Sequence, residues 1–278
     1  MMPFTRLAMA PDPWLEQVVL IGGWCHSLYR RHPDAQELDY PPLLTLDTDI
    51  AIPPRLSAGK RDIRSRFLDH GFTEEFFGDD RPPATHYRLG DSASGFYVEF
   101  LTPLTGGNLD RKGGRKAMIE VAGIAAQRLR HIELPLRNPW TISFEAEGFV
   151  TGIRIANPVS FVAQKVLIQE ERGRQDRAKD ILYMHDTLEV FGGRLPKLRE
   201  MWRNTVAPAL HPRQAGKVKR AAAVLFGKLS DDVRRAAEAS GERGLSAESL
   251  RAACRYGFDQ VFANSPSAYP QHSATAGR

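Results

Sequence analysis

Cysteine is nearly missing from this chain: 278 residues contain two, Cys25 and Cys254. So few thiols, so far apart, exclude a disulfide scaffold and a thiolate zinc site, and they fit a reducing cytoplasm. Both are read as buried thiols. Long apolar runs are missing too. No stretch approaches the ~18 apolar residues of a membrane span, so no membrane partner is expected. Met1 to Pro13 lacks the continuous apolar core of a secretory signal. There is no G-x-x-x-x-G-K-[ST] phosphate loop, no G-x-S-x-G elbow and no H-E-x-x-H pair. Those absences remove the commonest ATPase, serine-hydrolase and metalloprotease readings. His26, His70, His86 and His185 show no zinc-site spacing, and no internal repeat occurs.

What is present begins with a modest basic excess, 38 Lys and Arg against 33 Asp and Glu, a net charge of +5. That balance suits a polyanion such as a nucleoside triphosphate or RNA, and equally an ordinary solvated surface. Along the chain, Val18 to Ile21 reads as a buried strand ended by Gly22-Gly23, with a helix from Trp24 to Arg31 and a loop over His32 to Pro42. Leu43 to Ile52 reads as a second strand and Arg61 to His70 as a helix stopped by Gly71. Strands are expected around Phe72-Thr73, His86 to Leu89 and Phe96 to Leu101, with a strand pair in Trp140 to Ala146 and Gly152 to Ala156. After Asn157-Pro158 the spacing is helical to about Ala263. The expected layout is a mixed α/β (α+β) sheet domain over residues 14–157, an all-helical domain over 158–263 and a disordered tail over 264–278.

The chemistry concentrates in Leu46-Asp47-Thr48-Asp49-Ile50. On a strand, side chains alternate, so Asp47 and Asp49 share one face about 7 Å apart and can converge on divalent metal. Set among Leu44, Leu46, Ile50 and Ile52, they read as carboxylates on a buried strand, which would want a cation. The alternative is a polar edge-strand face or caps in a turn. Glu99 lies in the apolar strand Phe96 to Leu101 and is the third candidate, ahead of Glu120 and Glu133; its bland alternative is a solvent-facing glutamate. The basic stretch Arg111 to Lys116 reads as an exposed loop. Without interleaved aromatics it makes a weak nucleic-acid surface.

Gly22-Gly23-Trp24, then Asp47-Thr48-Asp49, then Glu99 is an order that resembles the DNA polymerase β-like nucleotidyltransferase superfamily. Phe161 to Lys165 and Arg177 to Ile181 look like helical-domain motifs of bacterial nucleotidyltransferase-fold proteins, including abortive-infection toxins. The resemblance covers roughly residues 15–190. Two departures stand out: Gly-Gly-Trp replaces the family's common Gly-Ser, and the gap from Gly23 to Asp47 is long, as an insertion at 32–42 would make it.

The resemblance implies a Mg²⁺- or Mn²⁺-dependent transfer of a nucleoside monophosphate from an NTP to a hydroxyl on RNA, protein or a small molecule. Asp47, Asp49 and Glu99 would be the metal and catalytic residues. Gly22, Gly23, Trp24, Lys165, Lys179 and Asp180 would contact nucleotide, Asp180 by orienting Lys165 or Arg177. Free N–H groups after a glycine turn favour anions on physical grounds alone. For Lys165, Lys179 and Asp180 the alternative is a solvated or snorkelling helix face. An antitoxin-like partner belongs to the same implication. A rival reading keeps the fold as a non-catalytic module binding nucleotide or polyanion.

Overall fold

The apolar run before Gly22 forms a short central strand, β1 (Val19–Ile21), with all three residues buried. In the computed structural model, which describes residues 3–263 except 13, 44, 57–61, 91–94, 108, 110–116 and 147, eight more strands join it. They are β2 (Asp47–Ala51), β3 (Thr73–Phe77), β4 (Ala84–Leu89), β5 (Phe96–Pro103), β6 (Met118–Val121), β7 (Ile124–Leu129), β8 (Trp140–Ala146) and β9 (Phe149–Ile155). The sheet order is β3-β4-β5-β2-β1-β9-β8, and β7 pairs with both β5 and β6. It is a mixed sheet: β1 runs antiparallel to β2, whereas β2 is parallel to β5 and β1 to β9.

Three short helices accompany the sheet: α1 (Pro3–Met9), α2 (Gly22–Leu28) and α3 (Ile63–Asp69). Asp62 caps α3 by accepting from the Ser65 N–H at 2.7 Å, and Gly71, at φ +84°, follows its end. Phe67 of α3 packs on Phe72, Tyr87 and Phe100, covering one face of β4 and β5.

Helices then take over: α4 (Pro158–Ile168), α5 (Arg174–Val190), α6 (Leu195–Met201), α7 (Pro212–Lys219), α8 (Ala221–Phe226), α9 (Asp231–Ala239) and α10 (Ala247–Phe262). The change is made at Asn157, whose side chain accepts from the Ser160 N–H at 2.8 Å while donating to the carbonyls of Arg137 and Asn138. Proline at the first turn of α4 suits a position that has no amide partner to lose. Every residue of α4 from Pro158 to Leu167 is buried, as in a helix surrounded by protein. This is the mixed sheet followed by helices that the residue patterns predict.

Several details differ from expectation. The second helix starts at Gly22 rather than Trp24. The second strand is confined to Asp47–Ala51. Leu46 joins the ladder through its carbonyl, which accepts from the Tyr97 N–H at 3.3 Å, but its side chain is 55% exposed, so it does not help bury the strand. Leu44, the basic loop Arg111 to Lys116 and the 264–278 tail lie outside the described residues.

Two elements have no counterpart in the sequence reading. In α1, Phe4 stacks on Trp24 at 4.5 Å and meets Phe144 edge-on at 5.0 Å. The β6–β7 hairpin turns at Ala122-Gly123 with φ of +49° and +82°, the backbone of a two-residue primed turn.

Candidate functional site

Register brings the acids together. Ile21 of β1 pairs with Asp49 of β2, and Asp49 pairs in turn with Glu99 of β5. Asp47 pairs with Tyr97, two residues before Glu99, so the three carboxylates share one face of neighbouring strands. The chain then leaves β1 through Gly22 directly beside Asp49. Gly22 has φ +64°, and a Cβ there would lie 2.3 Å from the Asp49 Oδ2, so both backbone and space demand glycine. At Gly23 a Cβ would meet the Thr45 Cγ2 at 2.4 Å and the Tyr183 hydroxyl at 2.7 Å. The helix that follows is only seven residues long, so the site rests on the open glycine backbone rather than on a helix dipole.

The helical half closes the other side. A cavity of about 370 Å³ is lined by Gly22, Gly23, Asp47, Asp49 and Glu99 from the sheet, and by Lys165, Arg172, Lys179, Asp180 and Tyr183 from α4, α5 and the turn between them. Asp176, Lys179, Asp180 and Tyr183 recur at helical spacing, which puts them on one face of α5. The Lys165 Nζ lies 2.6 Å from Asp180 Oδ1, both side chains being buried. The Arg172 Nε reaches the second oxygen of Asp180 at 3.3 Å. The ammonium of Lys165 also sits 5.4 Å from the Tyr183 ring centre, and that of Lys179 5.7 Å.

The electrostatics are lopsided. Burial pushes the Asp49 carboxyl up to about 7, with the charges of Asp47 and Glu99 adding to the rise. Glu99 is raised as well, first by burial and then by Asp47. Lys165 and Arg172 pull Asp49 down only in part. Three acids crowded on one face would be relieved by a bound cation.

The donors are hard carboxylate oxygens, the chemistry of Mg²⁺ or Mn²⁺ rather than of thiophilic metals. Among the described residues no three acidic, imidazole or thiol groups close into a metal-binding cluster. Mg²⁺ is ordinarily held by one or two carboxylates together with substrate phosphates and water, so the acid set fits it without such a cage.

Most predicted positions therefore meet in one cavity; two do not. Trp24 is not part of the lining: it stacks on Phe4, meets Phe96 edge-on and serves packing. Arg177 does not pair with Asp180 but with Asp232 of α9, Nε to Oδ2 at 2.9 Å. Arg172, in the turn before α5, takes the place expected of it.

The structure also adds two residues. The Nε2 of His86 lies 2.5 Å from Glu99 Oε1, and its ring stacks on Tyr97 at 4.6 Å. Tyr183 is buried and its hydroxyl has no hydrogen-bond partner among the described residues, at the Gly23 end of the cavity. Alternation along β4 could have put His86 opposite Glu99. For Tyr183 the sequence signal was its seven-residue spacing from Asp176.

Among known families, a model described as nucleotidyltransferase matches residues 6–207. The chain belongs to this nucleotidyltransferase family. Its match spans the whole sheet and α4 to α6, so every residue lining the cavity falls inside the family region. Membership carries nucleotidyl transfer as the general activity and a nucleotide as substrate. No curated protein and no solved structure matches this nucleotidyltransferase. Among the described residues no helix is long and apolar enough to cross a membrane.

Proposed function

We propose that this family member is a metal-dependent enzyme that moves a nucleoside monophosphate from an NTP to a hydroxyl acceptor, releasing pyrophosphate. One observation carries the reading: Asp47, Asp49 and Glu99 meet the Gly22-Gly23 turn and the Lys165–Asp180 pair in a single cavity. Asp47 and Asp49 would hold Mg²⁺ or Mn²⁺, with Glu99 completing the acid set. When bound, the ion would neutralise triphosphate oxygens and favour an in-line displacement.

The chain's own groups account for the rest. The side-chain-free backbone at Gly22 and Gly23 admits phosphate to close range. Lys165, held in place by Asp180, and Lys179 and Arg172 supply positive charge to the anion. The acceptor oxygen bonds to the α-phosphorus as the bond to pyrophosphate breaks. Its proton passes to Glu99, whose raised affinity for protons and 2.5 Å contact with His86 suit a base fixed in one orientation. RNA or protein is the favoured acceptor, since toxins of the superfamily are the resemblance drawn from the sequence.

The test is incubation of purified protein with Mg²⁺, each α-labelled NTP, total RNA and cell lysate, beside the Asp47→Ala/Asp49→Ala variant. Label entering RNA or a protein band with the wild type alone supports the reading and names nucleotide and acceptor. The Glu99–His86 contact favours one alternative, a non-catalytic nucleotide-binding module, because it occupies an oxygen of the third acid. NTP binding with no label from any nucleotide would select it.

A further inference from the structure

A second cavity lies across α4 and α5 from the first. Its volume is about 640 Å³, and it is enclosed by α4, α5, α7, α8 and the start of α9. Val166, Ile181, Ala221 and Leu225 give it an aliphatic patch among polar and charged side chains, and Val224 at its edge is 71% exposed. An apolar patch beside convergent polar groups is a common form of a small-molecule site.

Four cations line it and only two are matched. Lys217 pairs with Glu170 at 3.1 Å and Arg177 with Asp232 at 2.9 Å. Arg213 and Arg220, from the two ends of α7, have no ion-pair partner among the described residues. A further group in the wall is unspent. Gln169 is 4% exposed, and its Nε2 has no hydrogen-bond partner among the described residues, an arrangement that costs stability unless a ligand answers it.

We propose that this cavity binds a small amphipathic anion. Its compact charged head would be a carboxylate or phosphate held by Arg213 and Arg220, and its apolar body would lie along Val166, Ile181 and Leu225. Excess guanidinium charge selects the head, and the aliphatic patch selects a chain or ring over a second polar group. Gln169 offers the amide donor for an oxygen near the junction. This site uses no residue of the nucleotide cavity, so the inference stands independently of nucleotidyl transfer.

Calorimetric titration of the full-length protein with octanoate, octyl phosphate and 1-octanol tests it. Both anions are expected to bind at least tenfold more tightly than the alcohol, and the tighter of the two identifies the head group. Arg213→Ala/Arg220→Ala, two surface changes that leave the core untouched, is expected to weaken the anions tenfold or more while leaving 1-octanol unchanged. Val224→Trp, which narrows the mouth, is expected to weaken all three. Equal binding of alcohol and anions, unchanged anion affinity in the double variant, or no saturable binding of any probe would each overturn the proposal.

Discussion

Two carboxylates, Asp49, half-buried in the sheet, and Asp186, fully buried in α5, are held under opposite electrostatic conditions. Asp186 is fully buried, yet donors meet it from several directions: His185 Nδ1 at 2.9 Å, Arg243 at 2.7 Å and the Tyr40 hydroxyl at 3.3 Å. Its pKa falls below the ordinary carboxylate value despite burial, because the His185 and Arg243 hydrogen bonds outweigh the desolvation. Arg243 also donates to the Pro41 carbonyl at 3.0 Å and stacks over Tyr40 at 4.1 Å, so this acid fastens the 32–42 insertion to the helices. Asp49 instead rises to about 7, through desolvation first and then through the two acids it faces. The acid that serves the fold is surrounded by donors, whereas the one left among its own kind is the one the proposed transfer assigns to a metal.

The sharpest break of that comparison comes from removing each carboxylate. Asp186→Ala leaves the Arg243 and His185 donors buried without their acceptor and should lower unfolding free energy by about 3–5 kcal/mol, read from urea denaturation. Asp49→Asn should do the reverse. Metal-free stability should rise by about 0.5–2 kcal/mol as repulsion is relieved, while transfer falls on the order of 100-fold or more. If both variants lose stability alike, the contrast is wrong.

Acidity sharpens the same contrast. Asp49 holds its proton up to about 7 in the folded chain, against 3.8 ordinarily. The folded state therefore binds more protons between those values. The stability this group contributes is complete below pH ~4 and is lost as pH rises through ~7. His26 behaves oppositely: burial lowers it from 6.5 to about 4, so its contribution is present above 6.5 and is lost as pH falls toward 4. Asp186, being lowered, stabilises above the ordinary carboxylate range and its contribution goes as pH falls through that range. Melting curves of wild type and Asp49→Asn between pH 4 and 8 should converge at the acid end and separate toward neutrality. A constant gap would contradict the assignment.

The smallest effect belongs to Tyr183. Its hydroxyl beside Gly23, without a hydrogen-bond partner among the described residues, makes Tyr183→Phe neutral or slightly stabilising in the free protein. NTP affinity should fall roughly three- to tenfold, the size of one neutral hydrogen bond, by equilibrium dialysis. Equal affinity would mean the hydroxyl only packs.

How much of this was legible follows from distance along the chain. The strand, glycine turn and helix from Val19 onward, and the shared face of Asp47 and Asp49, are local consequences of alternation and glycine backbone freedom. Glu99 could be chosen because an acid in an apolar strand stands out, and the Lys165–Asp180 pair because both sit in helical motifs. The partners of Arg177 and Asp186 could not be read, since Asp232 and Arg243 lie 55 and 57 residues away and only helix packing brings them near. Trp24 misled because aromatic residues after a glycine turn serve nucleotide and core equally well. The β6–β7 hairpin was missed because Ala-Gly is a weak turn signal beside Asn-Gly.

The most direct test is a calorimetric Mg²⁺ titration at pH 8 with a non-hydrolysable NTP analogue present, run on wild-type and Asp49→Asn protein. Saturable binding by the wild type, weakened at least tenfold in the variant, is the result expected of an acid cluster kept for a cation. Identical isotherms, or no metal binding to either protein, would contradict it.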